Sequence, residues 1–165
     1  MRRYLGALVL LVLVIVAEPG GAKPPKHSPL LGTWKLDTSK LPIPPGAKPP
    51  RSVTLVVSDV GDGRWKTVID TVNADGTMRH AQATYPLDGT PASVSDTMGG
   101  EVDTVSVTRP GASVLVIGAT LAGNLSTARV FTVSPDGQHQ TETILWRGED
   151  GKPHTRTNAW TRIEQ

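Results

Sequence analysis

Glycine breaks the chain at a nearly constant interval: Gly63, Gly76, Gly89, Gly100, Gly111, Gly123, Gly137 and Gly151 follow one another at spacings of 11 to 14 residues. Five of them close an Asp-Gly pair: Asp62-Gly63, Asp75-Gly76, Asp88-Gly89, Asp136-Gly137 and Asp150-Gly151. A two-residue type I′ hairpin loop needs positive φ at both central positions, which glycine adopts freely and Asp tolerates better than most residues. Eight such turns imply nine strands, each paired with the next, and Leu31 to Asp37 supplies one more before the Pro-rich loop Pro42 to Pro50. Between the turns apolar residues alternate, as at Val53, Leu55, Val57 and at Val105, Val107, and no window carries them at helical spacing. Val and Thr, which suit a pleated half-buried surface, are abundant. A ten-strand meander leaves two exposed edges unless it closes on itself. The expectation is therefore an all-β fold, a closed up-and-down barrel of about ten antiparallel strands; a two-sheet sandwich is the competitor that short, equal connections disfavour. Eight strands already enclose room for a small ligand, and diameter grows with strand number. Ten should leave a cavity unless large side chains fill it, and the chain has one Phe and two Tyr in all, one of them in the leader described next.

The first residues carry a different pattern. Arg2 and Arg3 precede an apolar run from Leu5 to Ala17, followed by Glu18, Pro19, Gly20, Gly21 and Ala22. Positive charge, apolar core and small residues make up a secretory signal, and the core is shorter than the roughly 20 residues that span a bilayer. The expected division is a signal peptide over 1–22, a Pro-rich linker over 23–29 and the barrel over 30–165. Cleavage after Ala22 would start the mature chain at Lys23, with Ala17 as the alternative site. The expected address is periplasmic or extracellular, with no permanent membrane anchor after cleavage. Tyr4-Leu5-Gly6 after the arginine pair, and the strongly apolar core, favour general secretion over twin-arginine export.

Losing residues 1–22 removes Arg2, Arg3 and Glu18, so the 17 basic and 15 acidic residues become 15 and 14. A net charge near zero, with bases and acids interspersed and no basic stripe, gives nucleic acid nothing to bind. The absence of cysteine excludes disulfides, thiolate metal sites, cysteine nucleophiles and a lipid-modified cysteine. The fold must rest on its core alone.

Leu31-Gly32-Thr33-Trp34-Lys35-Leu36 resembles the first strand of the lipocalin and fatty-acid-binding (calycin) superfamily, whose members open with Gly-x-Trp. Thr161-Arg162-Ile163 is similar to the last strand of the fatty-acid-binding proteins. The stretches Gly32 to Lys40, Val72 to Thr77, Asp103 to Val107, Val133 to Gly137 and Asp150 to Pro153 resemble bacterial secreted proteins described as lipocalin-like. The resemblance implies a meander barrel and no particular activity. Two departures stand out. The fatty-acid-binding proteins place a helical lid between the first two strands, where this chain has Leu41 to Pro50 with five prolines, which forbid a helix. Their ligand-reading Arg-x-Tyr pair is matched here by Arg162 and Glu164.

If Asp150-Gly151 forms a two-residue loop, Glu149 faces Lys152, Arg147 faces His154 and His139 faces Arg162. Alternation then puts Arg156, Asn158, Trp160 and Arg162 on one face of the last strand, with Thr141, Thr143 and Leu145 opposite. Arg156, Trp160 and Arg162 are accordingly candidate ligand-binding residues in a lumen, an Arg meeting a ligand carboxylate. Arg162 also has a structural reading, in which it stacks on Trp34 and closes the barrel end. The tryptophans Trp34, Trp65, Trp146 and Trp160 read as core before they read as an aromatic platform. His27, His80, His139 and His154 lack the close spacing of a metal motif. The Asp-rich window from Asp59 has Gly61 and Gly63 where a calcium loop needs oxygen ligands, so neither metal nor cofactor is expected. No nucleophile elbow, phosphate loop or dinucleotide fingerprint occurs, and no catalytic residue is assigned. The favoured function is a non-enzymatic binding protein for a small apolar or amphipathic molecule. A filled barrel acting as a structural or interaction protein of the envelope comes second and an enzyme of unknown class third. An open cavity separates the first from the second.

Overall fold

The computed structural model describes residues 27–43, 45–99, 102–148 and 150–163. The proposed signal peptide, most of the linker, Glu149 and Glu164 lie outside them.

Ten strands form one closed antiparallel sheet: β1 (Gly32–Leu36), β2 (Ser52–Gly61), β3 (Arg64–Val72), β4 (Met78–Pro86), β5 (Ala92–Asp96), β6 (Thr104–Gly111), β7 (Val114–Leu121), β8 (Asn124–Val133), β9 (His139–Arg147) and β10 (Pro153–Arg162). Each pairs with its sequence neighbours, and β1 closes the ring by pairing with β10 through Trp34↔Arg162, Lys35↔Thr161 and Leu36↔Trp160. The fold is all-β in up-and-down meander order, a closed ten-strand antiparallel barrel consistent with a calycin-like fold. A single 3-10 turn, Thr38–Lys40, follows β1, and no helix occupies the described part of the Pro-rich connection. The weakest seam is at β5, which pairs with β6 through only Ala92↔Val105 and Ser93↔Thr104.

Alternation sorts the side chains as a pleated wall requires: Val53, Leu55 and Val57 of β2 are buried while their neighbours are not. The buried aromatics gather at one end. Trp34, Trp65, Tyr85, Phe131 and Trp160, with Leu30, Val107, Leu115 and Val133, fill the base beneath the turns after β2, β4, β6 and β8. Toward the opposite end the inward apolar residues are smaller, such as Ala81, Val94 and Ile117, and share the wall with Arg79, Asp96, Arg129 and Arg156. The filled base and the hollow upper half thus follow from where the few large residues fall.

The turns explain a difference from the expected register. Asp62-Gly63 is a two-residue loop with both φ positive, at 52° and 70°, as a type I′ turn demands, and Ala122-Gly123 is another at 49° and 78°. The other Asp-Gly pairs keep Asp at negative φ. Asp75, Asp136 and Asp150 instead each accept the backbone N–H two residues ahead, at 2.9, 2.9 and 3.0 Å, and only the following glycine turns left-handed. These Asx turns need longer loops. In the last hairpin Gly148 pairs with Lys152 across residues 149–151, so Thr161 faces His139 and Trp146 faces His154. The register expected from a two-residue loop was one residue off, which turns a whole strand over. Thr141, Thr143 and Leu145 point out of the barrel, and Gln140, Glu142 and Ile144 point in.

Candidate lumenal site

Arg162 stands at the base. Its guanidinium lies 4.1 Å from the centre of the Trp34 ring and donates to three backbone carbonyls: Nε to Gly137 at 2.6 Å, Nη1 to Leu31 at 2.7 Å and Nη2 to Pro29 at 2.6 Å. It ties together the chain leading into β1, the β8–β9 turn and the end of β10. Burial lowers its pKa from the ordinary arginine value, and among the described residues no carboxylate pairs with it. Trp34 is fully buried beneath it, with Nε1 donating to the Leu30 carbonyl at 3.2 Å. Gly32 explains the Gly-x-Trp opening. Its φ is +130°, and a Cβ there would sit 2.2 Å from Arg162 Nη1. The neighbouring Trp65 carries a similar cover, Arg109 at 5.3 Å from its ring centre. Arg162 does not line the interior space.

That space is a cavity of about 400 Å³, running from Leu30 at the base to Leu41, Ile43 and Pro50 of the β1–β2 connection. Most of its wall is aliphatic: Leu36, Val53 and Leu55 on one side, Val105, Leu115 and Ile117 on another. Arg156 and Trp160 both line it. They belong to a polar column on β8, β9 and β10 whose centre is Glu142, 1% exposed. Its Oε1 accepts from Arg129 Nη1 at 3.0 Å, and its Oε2 accepts from Asn158 Nδ2 at 2.8 Å and Trp160 Nε1 at 3.1 Å. The indole of Trp160 therefore positions a carboxylate as well as filling space. Near the mouth Arg79 of β4 grips Asp96 of β5, Nε and Nη2 meeting Oδ2 at 2.9 and 2.5 Å. Hydrogen bonding from Arg79, together with the backbone N–H of Met98, holds the Asp96 carboxyl below its usual range. Deeper, Tyr85 and Thr67 share a short hydroxyl hydrogen bond, and burial pushes the Tyr85 phenol above its ordinary pKa.

Of the three arginines lining the cavity, Arg79 and Arg129 meet carboxylates, whereas Arg156 meets none among the described residues. Its Nε, together with Asn158 Oδ1 and Gln140 Oε1, is buried without a hydrogen-bond partner there. Such groups strongly favour a polar ligand or ordered water.

Glu142, Gln140, Arg129, Arg79 and Asp96 are absent from the sequence-derived candidates. The one-residue register error hid the first two, and a signal for the correct register was present in Asp150 as an Asx-turn former. Arg129 with Glu142 and Arg79 with Asp96 join neighbouring strands of the expected meander, but which residues face one another depends on registers not read from the sequence. Trp146 continues the face of Gln140, Glu142 and Ile144 toward the mouth without lining the cavity, its ring stacked on His154 with centres 5.5 Å apart. Among the described residues no group of three His, Asp or Glu could hold a metal ion. Compared with models of known families and with curated proteins, the chain matches none.

Proposed function

We propose that the protein is a non-enzymatic carrier or sequestering protein, working outside the cytoplasm, that holds one small amphipathic molecule in its barrel lumen. The observation that carries this reading is the cavity itself. Its volume of about 400 Å³ falls within the usual range of small-molecule sites, and a mostly aliphatic wall with a few convergent polar groups is how such sites are built. A filled barrel serving only as a scaffold would leave neither the space nor the buried, unpartnered Arg156 Nε. Gly32, Trp34 and Arg162 at the junction of the first and last strands support a place among lipocalin-like and fatty-acid-binding-like proteins. The leader-like segment supports periplasmic or extracellular work.

Titration with anilinonaphthalene sulfonate, an amphipathic anion that brightens in apolar surroundings, tests the proposal. The wild type should bind one dye per chain, and Ile117→Trp, which fills the cavity from β7, should abolish it while keeping cooperative unfolding. Absence of binding to the wild type, or equal binding to both, would count against a lumenal site.

A further inference from the structure

Among the described residues, the buried lumenal polar atoms that lack a partner all lie on one side, that of β9 and β10. On β10 the inward residues run Arg156, Asn158, Trp160 from mouth to base, and across the β9 ladder they meet Ile144, Glu142 and Gln140. At 3.3 Å per residue the column extends about 13 Å along the strand. Half-way round the strand order, β4 and β5 present Ala81, Ala83 and Val94 to the same space, with the mutually paired Arg79 and Asp96 nearer the mouth and Tyr85, bonded to Thr67, deeper. The flanking walls are mostly aliphatic.

Two of the unpartnered atoms on this column specify hydrogen-bond direction. Arg156 Nε is a donor. Asn158 Oδ1 is an acceptor, and its orientation is settled, because Glu142 accepts only and therefore faces Nδ2. The Gln140 amide lies deeper in the barrel with its Oε1 unpartnered, and no hydrogen bond among the described residues fixes which of its two ends meets a ligand. Asn158 and Gln140 are 5% and 3% exposed, so bulk water does not serve them. A straight-chain acid would satisfy Arg156 but offer no partner to Asn158 and Gln140, leaving them to ordered water alone.

We infer that the lumen takes a rigid, ring-based acid with polarity along one edge, whose anionic group meets Arg156 and whose hydroxyl groups donate to Asn158 and pair with the Gln140 amide. The opposite edge of such a molecule is apolar and packs on the aliphatic walls. A rigid frame holds its donors in line without the entropy cost of ordering a flexible chain. The inference rests on lumenal binding as proposed above.

Displacement of bound anilinonaphthalene sulfonate by a dihydroxynaphthoate, by naphthoate and by decanoate separates the possibilities. With two added hydrogen bonds, the dihydroxynaphthoate with hydroxyls along one edge should displace the dye at about tenfold lower concentration than naphthoate. Gln140→Met should shrink that ratio. Decanoate matching the dihydroxynaphthoate, equal displacement by the two naphthoates, failure of all three to displace the dye, or a ratio unchanged in Gln140→Met would each overturn the edge-polar inference and leave lumenal binding standing. A dye that does not bind the wild type at all would instead remove the lumenal reading beneath it.

Discussion

Changing Arg162 to Ala tests the base of the barrel against the lumen. The guanidinium makes three hydrogen bonds to carbonyls at 2.6 to 2.7 Å and covers Trp34 at 4.1 Å. Hydrogen bonds from a charged donor contribute about 1.5–3 kcal/mol each, and a partly exposed cation–π contact about 1 kcal/mol. These do not add, because water reaches the freed carbonyls at the rim. A net loss of about 3 kcal/mol is expected, a fall in Tm of about 10 °C for a domain of this size. Gly32→Ala attacks the same contact from the other side, through the positive φ and the close approach to Nη1. Its cost should be about 2 kcal/mol in the wild type and smaller with Arg162→Ala already present, since the clash is then gone and only backbone strain remains. Thermal and urea melts of the four proteins give the coupling directly. Dye binding by Arg162→Ala should stay within about twofold of the wild type, because Arg162 lies outside the cavity lining. A loss below about 1 kcal/mol with additive effects, or a large loss of dye binding in the folded variant, would refute this account of the barrel base.

Glu142→Leu should destabilise by about 3–5 kcal/mol, since it strands Arg129, Asn158 and Trp160 without their shared acceptor, while Glu142→Gln should cost less; urea denaturation compares them. Gln140→Met removes a buried, unpartnered oxygen and should raise stability by about 1 kcal/mol in the ligand-free protein, read as a higher midpoint in urea. Side-chain hydrogen bonds from Arg79 to Asp96, Thr77 to Asp75 and Ser134 to Asp136 hold these carboxyls below their ordinary value of 3.8. Because the folded pKa values are lowered, the stability they contribute is present at neutral pH and lost as pH falls through those values. Melts should be flat down to about pH 5 and drop below about pH 4, with Asp96→Asn less stable at neutrality and less sensitive to acid. A midpoint of stability loss near neutral pH would contradict this.

The strand count was legible because glycine marks the turns at regular intervals, and the meeting of Trp34 with Arg162 because they lie in the first and last strands, which a closed meander must join. The register of β9 was not. His139 to Arg147 alternates Gln, Glu and Ile with Thr, Thr and Leu, and the second set looks no less like a lumen wall than the first. Only the turn decides between them, and Asp-Gly serves both the two-residue loop, as at Asp62-Gly63, and the longer Asx turn, as at Asp150-Gly151. That single ambiguity displaced Glu142, the centre of the polar column. Ion pairs between other strands, such as Arg79 with Asp96, depend on facing geometry that sequence spacing does not encode.

Native mass spectrometry of the protein purified from its own compartment, with solvent extraction of whatever it releases, tests lumenal binding most directly. The account predicts a population carrying one small acidic molecule per chain, absent from Ile117→Trp. Bare chain mass for both proteins, with no uptake of added amphipathic anions by the wild type, would contradict it.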